Sequence, residues 1–253
     1  MTAPAFHIII PARMASQRLP GKPLLEIAGR PLVEHVYGQA VQSSACAVVI
    51  ATDDERILRA AQSFGAQVLM TSAGHASGSD RIAECVDILG LADDALVVNL
   101  QADEPLMPPA CLDQVANLLA TDPQADVASL YWPLHDAAEV LDRHTVKVVT
   151  AVDGSAIYFS RSVIPYGRDA EGVAAALHNG IPYKRHIGLY AYRARVLRRM
   201  ARWPPGVLER AEKLEQLRLL ENGGRILMAQ SCCLVHGGVD TPEDLERVRQ
   251  EIG

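Results

Sequence analysis

Residues Ile8 to Leu25 read IIIPARMASQRLPGKPLL, and the fold is decided here. The stretch opens with Ile8-Ile9-Ile10, an apolar run of the length expected for a buried strand in a parallel sheet. Pro11 is expected to end that strand. A loop follows with Arg13, Arg18 and Lys22 among small residues, a Pro20-Gly21 turn, and Pro23 beyond it. Cations just past the carboxyl end of a first strand suggest an anion site, because open α/β sheets bind ligands in that crevice. A solvated basic loop would have the same composition, and charge alone leaves both readings open. Two familiar phosphate loops are excluded. A Walker A loop would need glycine at Ser16 and a hydroxyl at Pro23, and a dinucleotide fingerprint needs three spaced glycines where this segment has only Gly21. Any phosphate held here must meet side chains and local backbone N–H groups.

Working outward, the pattern alternates strand and helix. Pro31 to Ala45 has helical periodicity, Ala47 to Ala51 reads as a second buried strand, and Thr52-Asp53-Asp54-Glu55 fits a helix start with Thr52 as the cap. Gln67 to Met70 is a short strand. Ser72 to Arg81 is a small, polar loop leading into a helix, for which Ser79 is an ordinary cap. Ala95 to Gln101 is a third apolar strand, followed by Ala102-Asp103-Glu104-Pro105. Carboxylates in that position suit either a divalent cation or a turn, and position alone does not decide. Strand–helix alternation to this point predicts a doubly wound parallel sheet.

The rhythm changes near residue 126. Asp126–Trp132, Thr145–Ala151 and Ala156–Phe159 are strand-like, and Asp153-Gly154 between the last two is a hairpin signal. A more antiparallel section is expected here, with residues 167–182 as a loop. Tyr183–Tyr192 is a further strand carrying His186 and Tyr190, and a lone histidine in that setting is more often structural than functional. Val207 to Glu221 reads as one helix, in which Glu215 and Gln216 belong by default to a solvated face. Thr241, Pro242 and Asp244 mark the start of a last helix, with Asp240 one residue outside it.

Composition sets outer bounds. The 253 residues are 49% hydrophobic with net charge -6 and 5% aromatics. That balance allows a sizeable core and argues against a nucleic-acid partner, whether by a basic surface or by stacking platforms. No apolar run is long enough to insert in a membrane, no secretory leader is apparent, and a cytoplasmic location is expected. The five cysteines, Cys46, Cys85, Cys111, Cys232 and Cys233, include no C-x-x-C pair. They read as reduced thiols, a poor framework for zinc or disulfides.

Several of these stretches resemble the 3-deoxy-manno-octulosonate (Kdo) cytidylyltransferase family. The likeness is carried by the Ile8–Leu25 segment, His75-Ala-Ser-Gly-Ser-Asp-Arg81, Gln101-Ala-Asp-Glu-Pro105, His186-Ile-Gly-Leu-Tyr190, Leu214-Glu-Gln216 and Gly238-Val-Asp-Thr-Pro-Glu-Asp-Leu245. It covers nearly the whole chain, and the first and last motifs are long and specific. The resemblance implies a single α/β domain over residues 1–253: a Rossmann-like, doubly wound mixed sheet of the glycosyltransferase-A-like nucleotidyltransferase kind. Residues 126–205 would form its smaller antiparallel sugar-binding and dimerisation section, which implies a homodimer. The implied reaction converts CTP and Kdo into CMP-Kdo and pyrophosphate, for lipopolysaccharide biosynthesis.

The resemblance also assigns roles. Asp103 and Asp240 become ligands of Mg²⁺, and Arg13 and Lys22 phosphate contacts; these four form the implied catalytic set. Pro11, Ala12, Arg18, Ser77, Gly78, Arg81 and Gln101 join the nucleotide side. Arg161, His186, Tyr190, Glu215 and Gln216, again with Gln101, face the acidic sugar. Ala102 stands where the family carries glycine; a positive φ there would strain the backbone. The alternatives are a related enzyme for 8-amino-Kdo or sialic acid, or a non-catalytic nucleotide-binding regulator. A nicotinamide dehydrogenase is disfavoured by the missing glycine fingerprint.

Overall fold

The computed structural model describes residues 4–15, 19–75 and 77–253; Arg18 lies outside them. The chain begins with β1 (Phe6–Ala12), a small antiparallel pair β2 (Glu26–Ile27) and β3 (Arg30–Pro31), and α1 (Leu32–Ala40). It continues with β4 (Ala47–Thr52), α2 (Glu55–Ser63), β5 (Gln67–Met70), α3 (Gly78–Ile88), β6 (Leu96–Asn99) and α4 (Pro109–Thr121). The middle holds β7 (Val127–Leu134), α5 (Ala137–Leu141), β8 (Lys147–Thr150), β9 (Ala156–Ser160), α6 (Val173–His178) and β10 (Tyr183–Arg193). Last come α7 (Ala194–Met200), α8 (Val207–Glu212), α9 (Gln216–Glu221), β11 (Ile226–Gln230) and α10 (Pro242–Ile252).

The main sheet runs β11-β7-β10-β6-β1-β4-β5, with β8 and β9 attached through β8 to β10. Pairing is parallel between β1 and its neighbours β4 and β6, between β4 and β5, and between β7 and β11. β10 runs antiparallel to β6, β7 and β8. The isoleucine run behaves as a central strand should. Ile8 and Ile10 pack on one face with Val33 and Val36 of α1, Ile57 of α2 and Val115 of α4. Ile9 packs on the other with Ile82 and Val86 of α3 and Leu197 of α7. Helices therefore cover both faces, and the double winding is realised.

Several local expectations are corrected. Pro11 does not end β1, which runs to Ala12. Pairing with β6 stops at Ile9 while pairing with β4 continues to Ala12, so the missing N–H of Pro11 falls where only one neighbour remains. α1 stops at Ala40 rather than Ala45, where Ser43 Oγ donates to the Ala40 carbonyl. Asp54, not Thr52, caps α2, accepting from the Arg56 amide at 2.8 Å. Ser77, not Ser79, caps α3 in a capping box with Asp80. The helix expected over 207–221 breaks into α8 and α9 at Lys213, whose φ of 56° ends the first. The 167–182 stretch contains α6, seated by Ala176 against Leu134, Val140 and Tyr183. At Ala102 the expected strain is absent: among the described residues the non-glycines with positive φ are Ala28 and Lys213.

A separate cluster explains how the chain's two ends meet. Leu19, Ile27 and Leu32 from the N-terminal segment bury against Val239, Leu245 and Val248 from the approach to and body of α10. Arg249 adds a bond from Nη2 to the Glu26 carbonyl at 3.0 Å. Each fully buried aliphatic side chain contributes about 1.5–3 kcal/mol, so this joint outweighs any single surface ion pair.

Candidate active site

The carboxyl ends of β1 and β6 carry the basic loop and the first acid. Gly21 adopts φ 71° and caps a 3-10 turn over Lys22–Leu24, which folds Lys22 back over the sheet edge. Beyond β6, the turn at Asp103 meets the segment before α10: the Val239 amide donates to the Asp103 carbonyl at 2.8 Å. Gly238 makes this approach possible, since a Cβ there would lie 2.9 Å from that carbonyl oxygen and 3.0 Å from Glu104 Oε1. The Thr241–Asp244 capping box then fixes Asp240 at the mouth of the cleft.

Lys22 Nζ donates to Asp103 Oδ2 at 2.6 Å and to Asp240 Oδ1 at 2.9 Å. Three residues far apart in sequence thus close one polar centre. The lysine side chain is 14% exposed and that of Asp240 53%, so the centre is rooted in protein and open on one side. Burial acts to lower the Lys22 pKa, but the charges and hydrogen bonds of Asp103 and Asp240 prevail and raise it. Beside it the half-buried Glu104 carboxyl is pushed up to about 8, first by desolvation and then by repulsion from Asp103 and Asp240.

A cleft of about 710 Å³ opens next to this centre, within the range of small-molecule sites. Its wall includes Gln101, Arg161, His186, Tyr190, Glu215 and Gln216 together with Asp240; every residue the sequence assigned to the sugar side lines it. The His186 ring stands 4.9 Å from Phe159 and 5.3 Å from Tyr190, and His186 Nε2 lies 3.1 Å from Ser129 Oγ. Burial drives its pKa down to about 3, so the imidazole is neutral at ordinary pH. Arg161 is steered by Nε donating to the Glu212 carbonyl at 2.9 Å. Its own carbonyl accepts from the fully buried Lys147, whose ammonium also bonds the Asp142 and Thr145 carbonyls. Gln216 Nε2 is buried and has no hydrogen-bond partner among the described residues.

The nucleotide-side residues fall less uniformly. Pro11 and Gly78 are neighbours: a Cβ on Gly78 would stand 3.5 Å from the Pro11 ring. The amino end of α3 therefore faces the end of β1, where Ala12 is buried and Arg13 exposed. Ser77 Oγ donates to Glu215 Oε1 at 2.7 Å, linking the two sides. Arg81, placed by the resemblance on the nucleotide side, lies below the surface. It is buried, with Nη2 on Asp53 at 2.7 Å and Nη1 on Thr71, and it is absent from the cleft wall. An arginine anchored to a partly buried carboxylate and a buried hydroxyl acts as a strut beneath the α3 entry. Asp53, read from sequence as a helix-start residue, is its partner.

Sequence reasoning gave no role to Glu104, Arg185 or Lys147. Arg185 Nη2 donates to the Val235 carbonyl at 2.6 Å, and both residues line the cleft. Glu104 was legible as half of the Asp-Glu-Pro run. Nothing in the local sequence marks Lys147 as buried.

A mostly parallel sheet whose carboxyl edge carries a lysine between two aspartates, beside a polar cleft, has the form of a nucleotidyltransferase. Residues 7–226 match the family described as Cytidylyltransferase. The chain is 54% identical over 251 residues to the 3-deoxy-manno-octulosonate cytidylyltransferase of Pseudomonas syringae pv. syringae strain B728a, covering 99% of this chain and 98% of that one. It is 52% identical to that of Cellvibrio japonicus strain Ueda107, covering 98% and 99%. A solved structure of CMP:2-keto-3-deoxy-manno-octonic acid synthetase complexed with CTP superposes with TM-score 0.90 at 41% identity, covering 98% of each chain. A 4-diphosphocytidyl-2C-methyl-D-erythritol synthase, 17% identical with TM-score 0.62 over 99% of this chain and all of its own, shares the fold. The chain belongs to the 3-deoxy-manno-octulosonate cytidylyltransferase family. None of its described helices is long and apolar enough to cross a membrane.

Proposed function

We propose that this protein is the cytidylyltransferase that activates Kdo: CTP and 3-deoxy-D-manno-octulosonate react to give CMP-Kdo and pyrophosphate. The observation that carries the reading is Lys22 seated between Asp103 and Asp240. Its ammonium stands in for a divalent cation. Two carboxylates converging from the middle and the end of the sequence form an all-oxygen donor set, suited to a hard ion. Asp103 and Asp240 would hold Mg²⁺, which when bound would supply charge neutralisation at the α-phosphate and acidify the attacking hydroxyl.

The residues supply the rest. Released from the acids, Lys22 would join Arg13 on the phosphates and stabilise the departing pyrophosphate. Ser77, Gly78 and the amino end of α3 offer backbone N–H groups and a favourable dipole to the nucleotide. On the sugar side Arg161 offers a cation to the sugar carboxylate, and the orphaned Gln216 amide offers a donor that gains its partner only when substrate binds. Neutral His186 and Tyr190 shape the floor. The sugar's anomeric 2-hydroxyl attacks the α-phosphorus in line as pyrophosphate leaves. The chain's contribution is alignment and charge neutralisation, since phosphorus transfer asks for little covalent help.

The same reading includes a cytoplasmic homodimer associating through the antiparallel section, which exposes Leu141, Ile157 and Tyr166. Light scattering should then give twice the 27.4 kDa chain mass. For the reaction, pyrophosphate release is followed with CTP, Mg²⁺ and a panel of Kdo, 8-amino-Kdo and sialic acid. Turnover with Kdo supports the proposal. Turnover confined to another sugar acid, or CTP binding with no release for any, overturns it.

A further inference from the structure

The cysteines that look unpromising in sequence converge in space. Cys111 sits in the first turn of α4, while Cys232 and Cys233 leave the end of β11. The sulfurs lie 3.9 Å apart for Cys111–Cys232, 3.9 Å for Cys111–Cys233 and 3.4 Å for Cys232–Cys233. Adjacent cysteines thus turn both sulfurs toward the same third one. A circle through three points so spaced has a radius of about 2.2 Å, against the ~2.3 Å of a zinc–thiolate bond. A cation slightly above that plane reaches all three without moving the backbone.

The surroundings hold this triangle in place. Gln114, one turn after Cys111, accepts from the Cys232 amide at 2.8 Å and donates to the Gln230 carbonyl at 2.7 Å. Ser231 Oγ lies 3.2 Å from Cys111 Sγ and donates to the Cys233 carbonyl at 2.7 Å. Cys111 is buried and Cys232 exposed, so the site has both a protein floor and a path from solvent. The amino end of the 13-residue α4 favours negative charge at its first turn.

We propose that Cys111, Cys232 and Cys233 form a three-thiolate site for a thiophilic d¹⁰ cation of the zinc class. Binding balances as one divalent cation plus three thiols giving a tris-thiolate complex of charge −1 and three released protons. Sulfur donors separate this site from the oxygen centre at Asp103 and Asp240, which selects hard ions. Burial pushes the Cys232 thiol up to about 12 and raises that of Cys111, so a cation binding these two must displace protons. The position gives the site a consequence. Cys111 opens the helix that follows the Asp103 turn, and Cys233 begins the segment that ends at Asp240. A cation held here ties together the two arms that deliver the acids.

The test uses reduced, chelator-treated full-length protein titrated anaerobically with Cd²⁺. The expected result is sulfur-to-cadmium charge-transfer absorption saturating at one equivalent, release of about three protons per ion, and no displacement by excess Mg²⁺. Cys232→Ser, at an exposed position, should weaken binding on the order of a hundredfold or more, with Cys233→Ser behaving alike. Cys46→Ser, at the one other cysteine exposed to solvent, should leave the titration unchanged. The proposal is overturned by absence of the absorption, by displacement with Mg²⁺, by loss of binding in Cys46→Ser, or by unaltered affinity in both Cys232→Ser and Cys233→Ser.

Discussion

The lysine–aspartate centre and the sugar-side wall differ in how they are held. The centre is polar and half open, built of three charged tips joined by bonds spanning most of the chain. The wall is packed in place: His186 stands between Phe159 and Tyr190, and the Lys147 ammonium bonds three carbonyls. Under the proposed function the first region would exchange an ammonium for a metal ion and phosphates, which suits groups held at an open mouth. The other must recognise a fixed outline, so its groups are placed before the ligand arrives. An open polar centre and a closely packed wall thus adjoin in one cleft.

Asp240→Ala should break this division most severely. It removes half of the oxygen donor set and is expected to lower kcat by at least about a thousandfold. Pyrophosphate release at saturating Mg²⁺ reads the loss, and an unchanged circular dichroism spectrum shows that the fold survives. Lys22→Ala comes next, with about a hundredfold loss in kcat/KM for CTP and a much smaller change in KM for Kdo. Equal losses for both substrates would erase the distinction between the two walls.

Leu245→Ala tests whether the polar centre depends on the hydrophobic joint behind it. It should cost about 2–5 kcal/mol in urea unfolding and depress turnover, although Leu245 belongs to the apolar cluster. The packed wall is probed by pH. His186 takes a proton at about 3 in the fold and at ~6.5 when unfolded. Its contribution to stability is therefore complete above pH ~6.5 and falls away as pH drops toward 3. Unfolding free energy should decline through that window, and His186→Asn should flatten the slope by about 1.4 kcal/mol per pH unit. The smallest effect is expected of Ala102→Gly: about 0.4–1 kcal/mol of lost stability and near-normal turnover, because Ala102 has no backbone strain to relieve.

How much could be read in the letters follows the same contrast. The isoleucine run, its neighbouring strands and the Thr241 cap announce themselves locally, through periodicity and a side chain bonding its own backbone. The sugar-side set and both acids were reached through family motifs, which encode long-range geometry that no window of sequence contains. Misreadings occurred where tertiary context overrode local preference. Pro11 looked like a terminator because the one-sided pairing of β1 beyond Ile9 is invisible from β1 alone. The helix break at Lys213 carries no glycine or proline to announce it. The cysteine triangle joins α4 to the exit of β11, a meeting that spacing arithmetic cannot foresee.

The joint formed by Leu19, Ile27, Val239 and Leu245 also sets an order of events during synthesis. A ribosome lays down the basic loop first and the Asp103 turn midway. Neither has its counterpart until the stretch around residue 240 emerges and docks. The polar centre of Lys22, Asp103 and Asp240 is therefore complete only after the first-made and last-made parts have found each other.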